Sequence, residues 1–139
     1  MSRTNLETAR LMSEEVWGKC NIELVDELYA ENYVDLNPVP GIPANREGLK
    51  MQLSMFRQAF PDMQATIEDL VESGDKVVTR YSVQGTHKGD LMGIPPTGKT
   101  AAFSGITIVR FEDGKAVEEY SITDMMTMFQ QLGLTPAMA

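Results

Sequence analysis

The sequence predicts an α+β domain in which three N-terminal helices pack across the concave side of a strongly curved antiparallel sheet. Three observations carry that expectation. Apolar residues recur at helical spacing only before Pro61 and again after Asp124. Between those points lie four segments that alternate with period two and are joined by turn signals. These segments run to roughly nine to eleven residues, against a usual ~5–6, and strands that long must coil. Gly85 and Gly105 inside them are the expected bend points. A coiled sheet with helices over its hollow side encloses a cone, a natural small-molecule pocket.

The elements follow in order. Residues 3–17 place Leu6, Ala9, Ser13 and Val16-Trp17 at near-helical intervals, with Thr4 or Asn5 able to cap, and Gly18 ends the helix. Asn21 opens a short second helix whose Ile22, Val25, Leu28 and Tyr29 share a face. "ENYVDLNPVPGIPAN" reads as an irregular loop, because three prolines and a glycine fit neither period. Asn45 caps a third helix over Arg46 to Phe60, with Leu49, Leu53, Phe56 and Phe60 on one stripe, and Pro61 stops it. "MQATIEDLVES", "VVTRYSVQGTH", "AAFSGITIVRF" and "AVEEYSITD" are the strands. "EDGK" is a hairpin signal in which glycine supplies a positive φ. Met125 to Leu132 form a C-terminal helix ended by Gly133.

At 139 residues and 15.4 kDa the length fits one domain, residues 1–139, able to bury its own core. No apolar run approaches the ~20 residues of a membrane span, and the first residues lack the layout of a secretory signal. One cysteine, Cys20, cannot pair within the chain, so the expected compartment is the reducing cytoplasm. A net charge of −8 without a Lys/Arg cluster argues against nucleic acid or an anionic membrane as partner. Ten methionines serve either as core filling or as an adaptable pocket wall.

The ordered set "FPD", "GDKVVTR", "GTHKG", "GIPPTGK", "GITIVRFEDGKAVEE" and "DMMTMFQQLG", with "EVWGKCNIELVDELYAENYVD" upstream, resembles the SnoaL-like polyketide cyclases of the NTF2-like superfamily. The likeness covers nearly the whole chain. It implies an NTF2-like cone and a small hydrophobic or aromatic carbonyl-containing substrate. The implied reaction is ring closure by intramolecular aldol condensation, without metal or cofactor. An aspartate at the end of the last strand is the implied general acid/base, and the matching position is Asp124.

Local pattern agrees with two roles for Asp124. Alternation puts it on one face with Glu118, Tyr120 and Ile122, next to Met125, Met128 and Phe129. An apolar wall there would raise its pKa toward the range of an acid/base working near neutrality. Equally, a short polar side chain at that point is a helix N-cap. His87, the sole histidine, either anchors a strand end to the following loop or orients a substrate oxygen. Relatives of this type often read Tyr-Val-Asp-His, with the imidazole pointing into the cavity. Here Leu36 replaces it and can neither shuttle a proton nor donate a hydrogen bond, which passes the work to Tyr33, Asn37 or His87.

Trp17, Tyr29, Tyr33, Phe56, Phe60 and Tyr120 are candidate wall residues, Trp17 and Tyr120 foremost, although aromatics at helical spacing also make plain core. Arg80 and Arg110 are expected to pair with Glu118 or Glu119 across the sheet. The Asp-Arg-Asp set of the limonene epoxide hydrolases is absent, since Val78 and Ser82 flank Arg80. "GDLMGIPPTGK" is a candidate lid edge. The convex face, through Thr79, Val83, Thr107 and Val109 or their alternates, is expected to mediate a homodimer, as is usual for this fold. Two rivals to the cyclase remain: a catalytically silent binder of small hydrophobic ligands, and a ketosteroid-isomerase-like enzyme with Tyr33 or Tyr120 as oxyanion donor.

Overall fold

The four long strands form where alternation places them, within one residue at each end. In a computed structural model, which describes residues 3–134, they are β2 (Gln64–Ser73), β3 (Lys76–Thr86), β4 (Thr100–Glu112) and β5 (Lys115–Thr123), while β1 (Tyr29–Asp35) is a fifth strand. The sheet order is β1-β5-β4-β3-β2; β2 to β5 are antiparallel neighbours and β1 pairs β5 in parallel. The sheet is therefore mixed rather than wholly antiparallel. β1 escaped notice because a bulge between Tyr29 and Val34 breaks its alternation. Tyr29 and Tyr33, four residues apart, both point inward, which mimics a helical interval.

The helices sit close to the expected positions. α1 (Asn5–Leu11) is capped by Thr4, whose hydroxyl accepts from the Glu7 N–H at 3.1 Å, and it runs on as a π-helical stretch over Met12–Trp17. A 3₁₀ turn (Ile22–Leu24) and α2 (Val25–Leu28) fill the place of the second helix. α3 (Arg46–Ala59) is capped by the Asn45 carboxamide, and α4 (Met125–Gln131) by Asp124. The β4–β5 hairpin turns through Asp113 and Gly114, both at positive φ, the geometry a tight turn of this hand requires.

Two apolar clusters result. One joins Val16, Leu28, Leu49 and Leu53 to Val77, Val109 and Phe111; the other joins Phe60, Leu91, Phe103, Met128 and Leu132. Gly105 has a specific task between them. β4 lies between β3 and β5, with Tyr81, Gly105 and Thr123 in register across the three strands. The Tyr81 ring crosses over Gly105, and its hydroxyl meets the Thr123 hydroxyl at 2.7 Å. A Cβ on Gly105 would lie 2.6 Å from the ring and 2.7 Å from the Ile122 carbonyl oxygen. Gly105→Ala is expected to destabilise by about 1–3 kcal/mol in urea unfolding, the range for overpacking. An unchanged midpoint would contradict the crossing.

Candidate active site inside the cone

Strand register decides which side chains face the helices. On β3 and β4 the inward residues are the odd-numbered ones, among them Thr79, Tyr81, Phe103, Thr107 and Val109. Pairing of Gly105 with Thr123, Thr107 with Ser121 and Val109 with Glu119 puts odd residues of β5 inward as well. These residues and the helices enclose a cavity of about 540 Å³. Trp17, Leu49, Phe56, Met63, Phe103 and Phe129 line its apolar part, and Met12, Met92 and Met125 add thioethers to the wall.

Glu119 is the carboxylate at its base. Only 7% of the residue is exposed, and its Oε2 accepts a hydrogen bond from the Tyr33 hydroxyl at 2.8 Å. Parallel pairing sets Asp35 of β1 opposite Glu119, and Asp35 lines the same cavity. Burial raises the Glu119 pKa most; the Tyr33 hydrogen bond lowers it and the Asp35 charge raises it again. The result is about 7, against an ordinary 4.5. The Tyr33 phenol is itself pushed up by burial and by Glu119, so it remains a proton donor.

The other polar groups on the floor are bonded to one another. The Thr107 and Ser121 hydroxyls meet at 3.0 Å, and Tyr81 meets Thr123. The Asn37 carboxamide donates to the Ser121 carbonyl and accepts from the Ser121 N–H at 3.1 Å, extending the β1–β5 ladder by a side chain. Among the described residues, no group of three or more His, Cys, Asp or Glu side chains is placed to hold a metal ion.

Asp124 is not in this cavity. The grouping of Glu118, Tyr120, Ile122 and Asp124 on one face is right, but that face is the outer one. Asp124 is exposed, its two carboxylate oxygens accept from the Thr127 N–H at 3.0 Å and the Thr127 hydroxyl at 2.6 Å, and these bonds lower its pKa. It is a helix cap. Tyr120, 44% exposed, follows the same parity, and so does Leu36, 52% exposed on the outward alternation of β1. His87 is fully buried away from the cavity wall; its Nδ1 accepts from the Thr97 N–H at 3.2 Å and lies 3.1 Å from the Thr97 hydroxyl, anchoring the strand end to the loop. Met128 is buried in the second apolar cluster, also off the wall.

Of the predicted site residues, Trp17, Tyr29, Asn37 and Phe56 lie on the wall, Phe60 packs instead in the second apolar cluster, and Tyr33 reaches the site through Glu119. Arg110 pairs with Glu118 across the strands and with Glu112 along its own strand, whereas Arg80 pairs with Asp69 at 2.7 Å rather than with Glu118 or Glu119. The convex face takes the alternates: Thr79, Val83, Thr107 and Val109 face the cavity, while Ile106, Ile108, Tyr120 and Ile122 face out. Glu119 and Asp35 were missed as site residues; Asp35 lies in the Tyr-Val-Asp stretch beside Leu36, and Glu119 faces it only through the parallel pairing of β1 with β5.

The sequence pattern described as SnoaL-like polyketide cyclase matches residues 7–132, and the chain belongs to that family. The aklanonic acid methyl ester cyclase DauD of Streptomyces sp. (strain C5) is 28% identical over 123 residues, spanning 86% of this chain and 76% of that protein. A proposed polyketide cyclase from Bacillus cereus has a crystal structure that superposes with a TM-score of 0.84 at 34% identity, covering 96% of this chain and 83% of that one. IdmH from Streptomyces antibioticus, also a proposed polyketide cyclase, gives 0.82 at 34% identity, covering 94% and 99%. These neighbours confirm the NTF2-like α+β fold. No helix among the described residues is long and apolar enough to cross a membrane.

The raised Glu119 pKa has a signed consequence for stability. A carboxyl group whose folded pKa of about 7 exceeds its ordinary 4.5 stabilises the fold fully below 4.5 and loses that contribution as pH rises through 7. The unfolding free energy of the native chain, measured against Glu119→Gln by urea titration, is expected to fall by about 3 kcal/mol between pH 4.5 and 8. A difference independent of pH would contradict a buried acid.

Proposed function

We propose that this chain is a cofactor-free cyclase-type enzyme that closes a ring by intramolecular aldol chemistry, with Glu119 as general acid/base. The buried carboxyl group with a pKa near neutrality, set in an apolar cavity, carries this reading. Glu119 takes a proton from an activated carbon flanked by carbonyl groups. The resulting enolate carbon attacks a second carbonyl of the same molecule, forming the new C–C bond. The alkoxide so produced recovers the proton from Glu119. No atom is gained or lost, so only the proton moves through the protein.

Such proton transfer contributes ~10²–10⁴-fold. The aromatic wall supplies the remaining advantage by holding the flexible chain in its ring-closing shape. The substrate class is a flat hydrophobic molecule with adjacent carbonyl groups, of which an aklanonic acid methyl ester, as DauD takes, is one example. The half-buried Cys20 suits a reducing compartment, and we place the protein in the cytoplasm. The outward Ile106, Ile108, Tyr120 and Ile122 are 46, 40, 44 and 57% exposed and adjoin in register across β4 and β5. We assign that patch to a second copy of the chain, as a homodimer.

Glu119→Gln is expected to fold, to bind substrate and to lower turnover of an aromatic polyketide methyl ester at least ~100-fold. Asp124→Asn should stay within about twofold in rate, since asparagine caps a helix about as well as aspartate and no chemistry is lost. Full activity in Glu119→Gln would overturn the assigned base. A purely ligand-binding protein would instead show no turnover in any form and similar affinity in both variants. For the dimer, light scattering should give twice 15.4 kDa for the native chain and a monomer for Ile122→Arg; a native monomer would refute it.

A further inference from the structure

On the cavity floor Thr107 pairs with Ser121 and Tyr81 with Thr123, which leaves one fully buried phenol on the wall without a partner. Tyr29 is fully buried, its side chain lines the cavity, and its hydroxyl has no hydrogen-bond partner among the described residues. The Trp17 indole N–H approaches that oxygen and acts on it as a donor, lowering its pKa, without meeting full hydrogen-bond geometry; an indole can only donate, so the phenolic proton itself is left without an acceptor. Among the described residues two other buried side-chain polar atoms are unpartnered, Arg57 Nε and His87 Nε2, and neither residue is on the cavity wall. An orphaned hydroxyl is costly to bury, and a ligand oxygen would satisfy it.

Its position relative to Glu119 is fixed. The Tyr29 ring packs edge-on against Tyr33 at 4.9 Å between centroids, and Tyr33 in turn holds Glu119. The orphan phenol and the proposed base therefore belong to one end of the cavity. Burial, and then the Glu119 charge, push the Tyr29 phenol well above its usual range, so it is a donor and not a phenolate. The alternatives are occupied or misplaced: Tyr33 already donates to Glu119, and Tyr120 faces outward.

We propose that Tyr29 is the oxyanion donor of this site, hydrogen-bonding the substrate carbonyl whose neighbouring carbon Glu119 deprotonates. As the C–H bond breaks, its electron pair moves into the new C=C and onto the carbonyl oxygen, and the proton goes to Glu119. Tyr29 O–H meets the developing negative oxygen and keeps its own proton. The inference rests on Glu119 as base, and it adds a demand on the ligand: an ionisable oxygen at the polar end and a flat apolar body reaching toward Phe56, Phe103 and Phe129.

The test uses 2-naphtholate, a flat oxyanion, against naphthalene, which has the same body without the oxygen. In Glu119→Gln, where residue 119 is neutral as it is after proton uptake, naphtholate is expected to bind by fluorescence titration. Adding Tyr29→Phe should weaken naphtholate at least tenfold and leave naphthalene within twofold. With substrate, Tyr29→Phe alone should lower kcat by about 10²–10³-fold, the range for one oxyanion donor, with little change in KM. Its Tm should be unchanged or higher, because only an unpartnered hydroxyl is lost. Equal weakening of both probes, no weakening of either, or a fall in Tm would overturn the assignment. If Glu119→Gln retains turnover while Tyr29→Phe still loses naphtholate, the base is wrong and the donor stands. If Glu119→Gln is inactive and Tyr29→Phe is silent, the donor alone is wrong.

Discussion

The hydrogen bond from Tyr33 to Glu119 ties the short parallel strand to the last strand and holds a carboxyl group out of water. Desolvating a carboxylate is expensive, and one phenolic hydrogen bond offsets only part of that cost. The balance appears as a pKa near 7. Much of the surrounding architecture serves this arrangement. Tyr29 and Tyr33 both point inward from β1, parallel pairing brings Asp35 opposite Glu119, and the Asn37 carboxamide clamps the end of β1 to Ser121. Gly105 lets Tyr81 lie across β4 beneath them.

The division of polarity is inverted locally, around the β4–β5 pairs Ile106–Ile122 and Ile108–Tyr120, relative to a simple half-buried sheet. The concave side carries Thr79, Tyr81, Thr107, Glu119, Ser121 and Thr123, while isoleucines and Tyr120 occupy the convex side. Paired hydroxyls keep much of the cavity floor polar at little cost to an apolar ligand, and the Tyr29 hydroxyl is the buried wall group left without a partner. An apolar outer face is stable only when something covers it, which is why we assign it to a second copy.

That inversion also explains what could be read in advance. Period-two alternation located β2 to β5 to within a residue, and caps and stripes located α1, α3 and α4, because those signals are local. Alternation defines two faces without saying which is inside. The apolar Tyr120 and Ile122 therefore drew Asp124 into the cavity, whereas register with the exposed Ile108 and Ile106 sends them outward. The Asp124 cap was legible; its catalytic placement was not, since the local pattern for a cap and for a strand-end acid is the same. Trp17, Asn37 and Phe56 were found on the wall, but Glu119 depends on a long-range parallel pairing that the bulged β1 hides.

Everything functional here depends on the ionisation of one side chain. Carbon-13 NMR of the Glu119 carboxyl, followed from pH 4 to 9 in the native chain and assigned with Glu119→Gln, measures it directly. A midpoint near 7 is the result this account predicts. A midpoint near the ordinary 4.5 would mean that the group is solvated, and the site described above would not be the seat of proton transfer.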